Sequence, residues 1–399
     1  MKFFTYIFII CSLLLVSCGG GEEPGTKQGT LPTVGFLEDR SVSETNADKV
    51  LLIDVRLSDI SEEEITVQVS SQDGTAIAGD DYIAVNKTLT FSAADAQETV
   101  SVTIIGDEAY EADEYFTLTL SSPSGAKLGL NSIEIQILND DIDKNIFIPS
   151  TGYTTPTSYA GMTLLWQDEF DAASIDETDW NFEIGGNGWG NNELQYYRRE
   201  NAFLHEGLLV IEARQESFGG RAYTSSRLTT EGKVEFQYGR VDIRAALPKG
   251  QGIWPALWML GSNFSSVGWP YCGEIDIMEM IGGGDNRDNK VWGTLHWDNN
   301  GSRACTCEQD SYKLPSGIFY DSFHVFTLKW TSTSIQWYVD DILFGTVSTT
   351  PADLSEFQNQ FFFIFNVAVG GNWPGSPDGS TVFPQRMLVD YVRVFQDNP

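Results

Sequence analysis

From Thr33 to Asp141 apolar and polar residues alternate in short runs: VLLIDVRL, EITVQVSS, KTLTFS, ETVSVTII, YFTLTL and IEIQIL. A period of two puts apolar side chains on one face of a strand and polar ones on the other. Turn-forming stretches such as QDGTAIAGDD and SPSGAKLG separate the runs. A stretch of about 100 such residues, without a sustained helical period, predicts an all-β sandwich. From Gly161 onward the runs GLLVIEAR, GKVEFQYGRVDIRAAL, FHVFTLKW, SIQWYVDDILFGTV, FFFIFNVAVGG and RMLVDYVRVF predict a second, larger two-sheet sandwich. Thr, Ser and Pro crowd the stretch between them, as in an inter-domain linker. At the N-terminus Lys2 precedes an apolar run, Phe3 to Val16, too short to span a bilayer comfortably and placed as a signal peptide is. The expected layout is therefore a signal peptide at 1–17, a tether at 18–32, a first β module at 33–143, a linker at 144–160 and a second module at 161–399.

The charge sharpens this division. The chain of 399 residues has a formal net charge of −32, which argues against nucleic acid as a partner. Residues 19–143 hold 25 acidic and 6 basic residues, a net of −19, while all 11 tryptophans follow them. One module collects acids and the other collects indoles. Of the five cysteines, Cys11 falls in the signal run and Cys18 follows it. A bridge from Cys272 to Cys305 or Cys307 is open to an exported protein. Three thiols without a nearby histidine or a C-x-x-C pair are a poor zinc site.

The segment GEIDIMEM, residues 273–280, carries the chemistry. Glu274 and Asp276 obey the strand period and share a face, whereas Glu279 is out of phase. Carboxylates in a half-buried strand are costly unless they face a wet cleft. One extra residue, a β-bulge at Ile277–Met278, would turn Glu279 toward the other two, and bulges are common beside active sites. Paired carboxylates in a cleft point to glycoside hydrolysis. The backbone between Glu274 and Glu279 covers roughly 13–16 Å at strand rise. Side chains leaning together bring the carboxyls within about 5–6 Å, the retaining spacing. Asp276 between them would raise a neighbour's pKa. Trp189, Trp254, Trp258, Trp297 and Trp373 offer faces for pyranose rings, and His296 and Asn372 stand beside them in sequence.

Several stretches of the chain resemble known families and signals. DGTAIAGDDY, DEAYEADEYFTLTL and the closing ILNDD resemble the Calx-beta domain, an immunoglobulin-like sandwich. That resemblance makes Glu44, Asp81, Asp107, Glu111, Glu114, Asp140 and Asp141 candidate calcium ligands, in keeping with calcium's need for six to eight oxygens. WQDEFD, GWGNNELQYY, YTSSRLTTEGK, YGRVDIRAALPKGQGIWPALWMLG, WPYCGEIDIMEMIG, GTLHW and NVAVGGNWPG resemble glycoside hydrolase family 16 of the laminarinase type, over residues 161–399. The resemblance implies a concanavalin-like jelly roll acting on β-1,3-glucan from within the chain. It implies Glu274 as nucleophile, Asp276 as its modulator and Glu279 as acid/base, with no cofactor for catalysis. Asn191, Arg227, Trp254, Trp258, His296 and Trp373 would bind sugar. A structural calcium would use Glu169 and Gly207 through main-chain oxygens, together with Asp390. The segment GSRACTCEQDSYKLPSG departs from the family pattern at the cleft rim. Mixed-linkage glucan, agar or carrageenan as substrate, transglycosylation, and a non-catalytic glucan-binding lectin are the alternatives. LVSC resembles a bacterial lipoprotein cleavage site, which implies lipidation of Cys18. GGGEE after it resembles an export tether to the outer surface of Bacteroidetes-type Gram-negative cells. A monomer touching the outer membrane only through its lipid is the expectation.

Overall fold

The computed structural model describes residues 31–139, 141, 145–298, 305–350 and 352–398, with side chains omitted for 305–308 and 352–353. The signal segment, Cys18, the tether up to residue 30 and Asp140 lie outside the described residues, as do the side chains of Cys305 and Cys307. No helix among the described residues is long and apolar enough to cross a membrane. The described residues divide into two compact units, those up to 107 with 114–137, and those in 108–113 with those from 138 onward. Glu108–Asp113, inside the acidic run of the first module, groups with the second unit by its contacts.

The first unit is a sandwich of a four-stranded and a five-stranded sheet. The predicted alternation is realised strand by strand. In Ile65–Asp73 the residues Ile65, Val67 and Val69 are buried, and in Glu114–Ser124 so are Phe116, Leu118 and Leu120. Tyr82 stacks on Phe116 with ring centroids 3.9 Å apart and donates its hydroxyl to Asp73 Oδ1 at 2.7 Å.

The second unit packs an eight-stranded sheet against a seven-stranded one. The seven strands are β1 (Asn181–Phe182), β2 (Arg227–Thr229), β3 (Ile253–Gly261), β4 (Glu274–Glu279), β5 (Lys290–Asp298), β6 (Cys305–Lys313) and β7 (Phe361–Val369). They lie in the order β1-β2-β7-β3-β4-β5-β6, each antiparallel to its neighbours. One face carries Leu257, Met259, Ile275, Leu295, Phe365 and Val367 into the core, where they meet Val241, Leu328, Trp337 and Val392 of the other sheet. The alternate residues face outward across six adjacent strands. Burying each large apolar side chain in that core is worth about 1.5–3 kcal/mol.

Two sequence expectations are corrected here. Trp297 does not offer its face to sugar: one residue beyond His296 on β5, it points the other way, is buried and meets Phe357 edge-on at 6.1 Å. Cys272 is a free thiol, fully buried beside Leu260, Phe362 and Ile364. Burial pushes it up to about 12, with the Glu274 charge adding to the effect, so it stays protonated.

Candidate active site

The outward face of the seven-stranded sheet is the floor of a cleft of about 770 Å³. Glu274, Asp276 and Glu279 all line it, and the bulge explains how. Along β5, Asp276 faces Thr294 and Glu279 faces Trp292, so three steps on β4 answer two on its partner. Against β3, Leu257 faces Met278 and Trp258 faces Asp276, which leaves Ile277 unmatched. The extra residue sends both Ile277 and Met278 into the core. Gaining two buried apolar side chains outweighs one disturbed ladder hydrogen bond, a net loss of about 1 kcal/mol. The consecutive apolar pair therefore enforces the bulge, and the bulge returns Glu279 to the cleft.

Each glutamate receives one indole donor. Trp269 Nε1 donates to Glu274 Oε2 at 2.8 Å, and Trp254 Nε1 donates to Glu279 Oε1 at 3.0 Å. His296 Nε2 stands 3.5 Å from Glu274 Oε1 and 3.4 Å from Asp276 Oδ2. Burial raises all three carboxyls, each to about 8. At Glu274 the Asp276 charge adds to burial, while His296 and the Trp269 N–H favour the anion. At Glu279 burial and the Asp276 charge act together, and Glu279 donates to Asp276. Three carboxyls this close share protons and cannot all ionise. The hydrogen bond with Asp276 favours the proton at Glu279, while the Trp269 N–H and His296 work toward the anion at Glu274 against its burial.

Sugar-sized walls rise on both sides. Arg227 lies between Trp189 and Trp258, its guanidinium carbon 4.9 Å and 4.8 Å from their ring centres, and it pairs with Glu183. Trp373 meets Trp254 edge-on at 5.4 Å and Trp292 at 5.0 Å. Asn191 lines the cleft from the loop Gly188–Asn192, where Gly188, Trp189, Gly190 and Asn192 all have left-handed φ. Glycine tolerates that region, whereas Trp189 pays strain there. Its indole N–H donates to Gly185 O at 3.0 Å and holds it. All six predicted sugar binders (Asn191, Arg227, Trp254, Trp258, His296 and Trp373) line the one cleft. Trp269, Glu193, Gln309 and Asn366 line it too. The stretch WPYCGE held a signal for Trp269, an indole five residues before the first acid.

Some of the calcium candidates converge among the described residues. Asp81 and Glu114 bring carboxylate oxygens within 4.8 Å of each other in the first unit. Glu44 is buried there, and Asp107 belongs to the same unit. Glu111 and Asp141 fall in segments grouped with the second unit. The registers Asp168 to Val392 and Leu209 to Val389 carry Glu169 and Gly207 to the stretch that holds Asp390. There Arg244 Nη1 donates to Asp390 Oδ2 at 2.7 Å, and the Glu169 carboxylate pairs with Arg393.

A cleft across a β-sheet, floored by coupled carboxyls and walled by indoles, defines an enzyme that breaks glycosidic bonds. The model of glycosyl hydrolases family 16 matches residues 189–393, and that of the Calx-beta domain matches residues 30–141. A beta-glucanase of Rhodothermus marinus is 42% identical over 247 residues, 58% of this chain and 85% of the relative. A glucan endo-1,3-beta-glucosidase of Cryptopygus antarcticus is 40% identical over 261 residues, 59% of this chain and 93% of the relative. The laminarinase catalytic domain of Thermotoga maritima superimposes with a TM-score of 0.55 at 49% identity, over 60% of this chain and 99% of that one. The chain belongs to glycosyl hydrolase family 16 and carries a Calx-beta domain ahead of its catalytic domain.

Proposed function

We propose that this enzyme hydrolyses β-1,3-glucan of the laminarin type at internal bonds, with retention of configuration. The bulge of β4 is the observation that carries the mechanism, because it puts two glutamates with opposite needs on one cleft floor. Glu274, held toward its anion, attacks the anomeric carbon and forms a glycosyl ester. Glu279 gives its proton to the departing glycosidic oxygen, then takes one from the water that cleaves the ester. Asp276 receives the Glu279 hydrogen bond and keeps that proton available near neutrality. The glucanase and laminarinase relatives support the choice of glucan. The open cleft walled by indoles on both sides suits a chain bound in its middle. Calcium at the Asp390 junction, and among the acids of the first unit, would steady the fold and take no part in the chemistry. Lipidation at Cys18 would anchor the enzyme at the outer surface of the cell. Reducing-sugar release across laminarin, lichenan, agarose and carrageenan tests the substrate. Laminarin is expected to lead, and faster cleavage of either galactan would overturn the reading.

A further inference from the structure

Glu193 is a buried acid that the reaction does not use. It is 4% exposed, and burial holds its pKa above the ordinary carboxylate value against its hydrogen bonds. Among the described residues no cation pairs with it directly. Three donors converge on its carboxyl group: Asn191 Nδ2 on Oε1 at 3.3 Å, and Gln195 Nε2 and the Tyr197 hydroxyl on Oε2 at 2.7 and 3.0 Å. The chain of contacts continues. Tyr197 accepts from Asn366 Nδ2 at 3.1 Å, and Asn366 Oδ1 accepts from Trp258 Nε1 at 2.8 Å. Asn191 and Trp258 both line the cleft. They stand on separate pieces of chain, a left-handed loop and β3, and Glu193 is the group both lead back to. The Asn372 N–H donates to Asn191 O at 2.9 Å, which ties the Trp373 loop to the same frame. An apolar residue would fill this buried site at lower cost in desolvation. An acceptor there aims three donors at once.

We propose that Glu193 is a positioning residue for glycan binding, acting on Asn191 directly and on Trp258 through Tyr197 and Asn366. It deepens the glucanase reading and rests on it for the choice of sugar. The two arms separate genetically. In Glu193→Gln the amide oxygen can still accept from Tyr197 and Gln195, while the amide nitrogen faces the Asn191 donor, so the Asn191 arm is lost. Tyr197→Phe cuts the Trp258 arm alone. A residue that acts through another gives a non-additive cycle.

The test is steady-state kinetics of Glu193→Gln, Asn191→Ala and their double variant, and of Tyr197→Phe, Trp258→Ala and their double variant. Laminarin is the substrate. Should wild type not cleave it, the substrate reading fails, and the same cycles are run on the glycan it does cleave. Each of Glu193→Gln and Tyr197→Phe is expected to raise KM by about tenfold, by more than it lowers kcat, as lost uniform binding does. Each double variant is expected to be no worse than its cleft-residue parent. Additive effects in both cycles, or a fall in kcat with KM unchanged, would overturn the proposal. So would a lowered Tm with kinetics intact.

Discussion

Replacing Trp269 by Phe keeps an aromatic face at the cleft and removes only the N–H that Glu274 accepts at 2.8 Å. A hydrogen bond to a charged group is worth about 1.5–3 kcal/mol. Trp269 is 48% exposed, so water replaces part of the lost donor. A loss of roughly 1.4 kcal/mol is left, equivalent to about one pKa unit. The sign follows from which form is held. The indole stabilises the carboxylate, so its removal raises the proton affinity of Glu274, and the nucleophile is ionised over a narrower range. The acid limb of kcat/KM for laminarin should therefore move up by about one unit. The variant should be about tenfold slower on the acid side and approach wild type as pH rises. Because the carboxyls titrate together, the limb belongs to the cluster, and the shift between variants is the quantity to read. A loss of the same size at every pH would refute the reasoning, since it would make Trp269 a binding surface only.

Glu274→Gln and Glu279→Gln should each remove nearly all turnover while laminarin binding persists, and Asp276→Asn should lose less; near wild-type rates for either glutamine variant would end the assignment. Glu279 is raised from 4.5 to about 8, so the folded state holds its proton through that window and stability falls as pH climbs from the lower value to the upper. Glu279→Gln should accordingly melt higher than wild type at about pH 8, with the gap closing toward pH 4.5; a constant gap in thermal scans would contradict this. Chelation should lower the melting temperature of the whole chain while brief chelation in the cold leaves laminarin hydrolysis intact; an unmoved transition would mean no calcium is held. Cys18→Ala should abolish palmitate labelling and release the enzyme from the membrane fraction.

The fold was readable because both modules alternate at period two over most strands. The bulge was readable for a local reason: Ile277 and Met278 are adjacent and apolar, and only an extra residue lets both face the core while Glu279 faces out. What escaped depends on partners distant in sequence. Glu193 acquires its role from Tyr197, Asn366 and Trp258, a contact path that crosses from a loop to β7 and β3. Trp297 faces the core because the strand period sends neighbours to opposite faces, so the residue after a cleft histidine points away from the cleft. The acidic run of the first module was legible as charge, but that Asp81 and Glu114 bring carboxylate oxygens together depends on the fold and not on the charge count.

The central claim is that Glu274 forms the covalent bond and Glu279 moves the proton. Inactivation with a 2-deoxy-2-fluoro laminaribioside carrying a good leaving group, followed by peptide mass analysis, tests it most directly, because a stalled glycosyl ester marks the nucleophile. The predicted result is a single laminaribiosyl adduct on the peptide containing Glu274, absent from Glu274→Gln and confined to that side chain by fragmentation. An adduct on Glu279, or an α-configured first product from laminarin with no adduct formed, would contradict it.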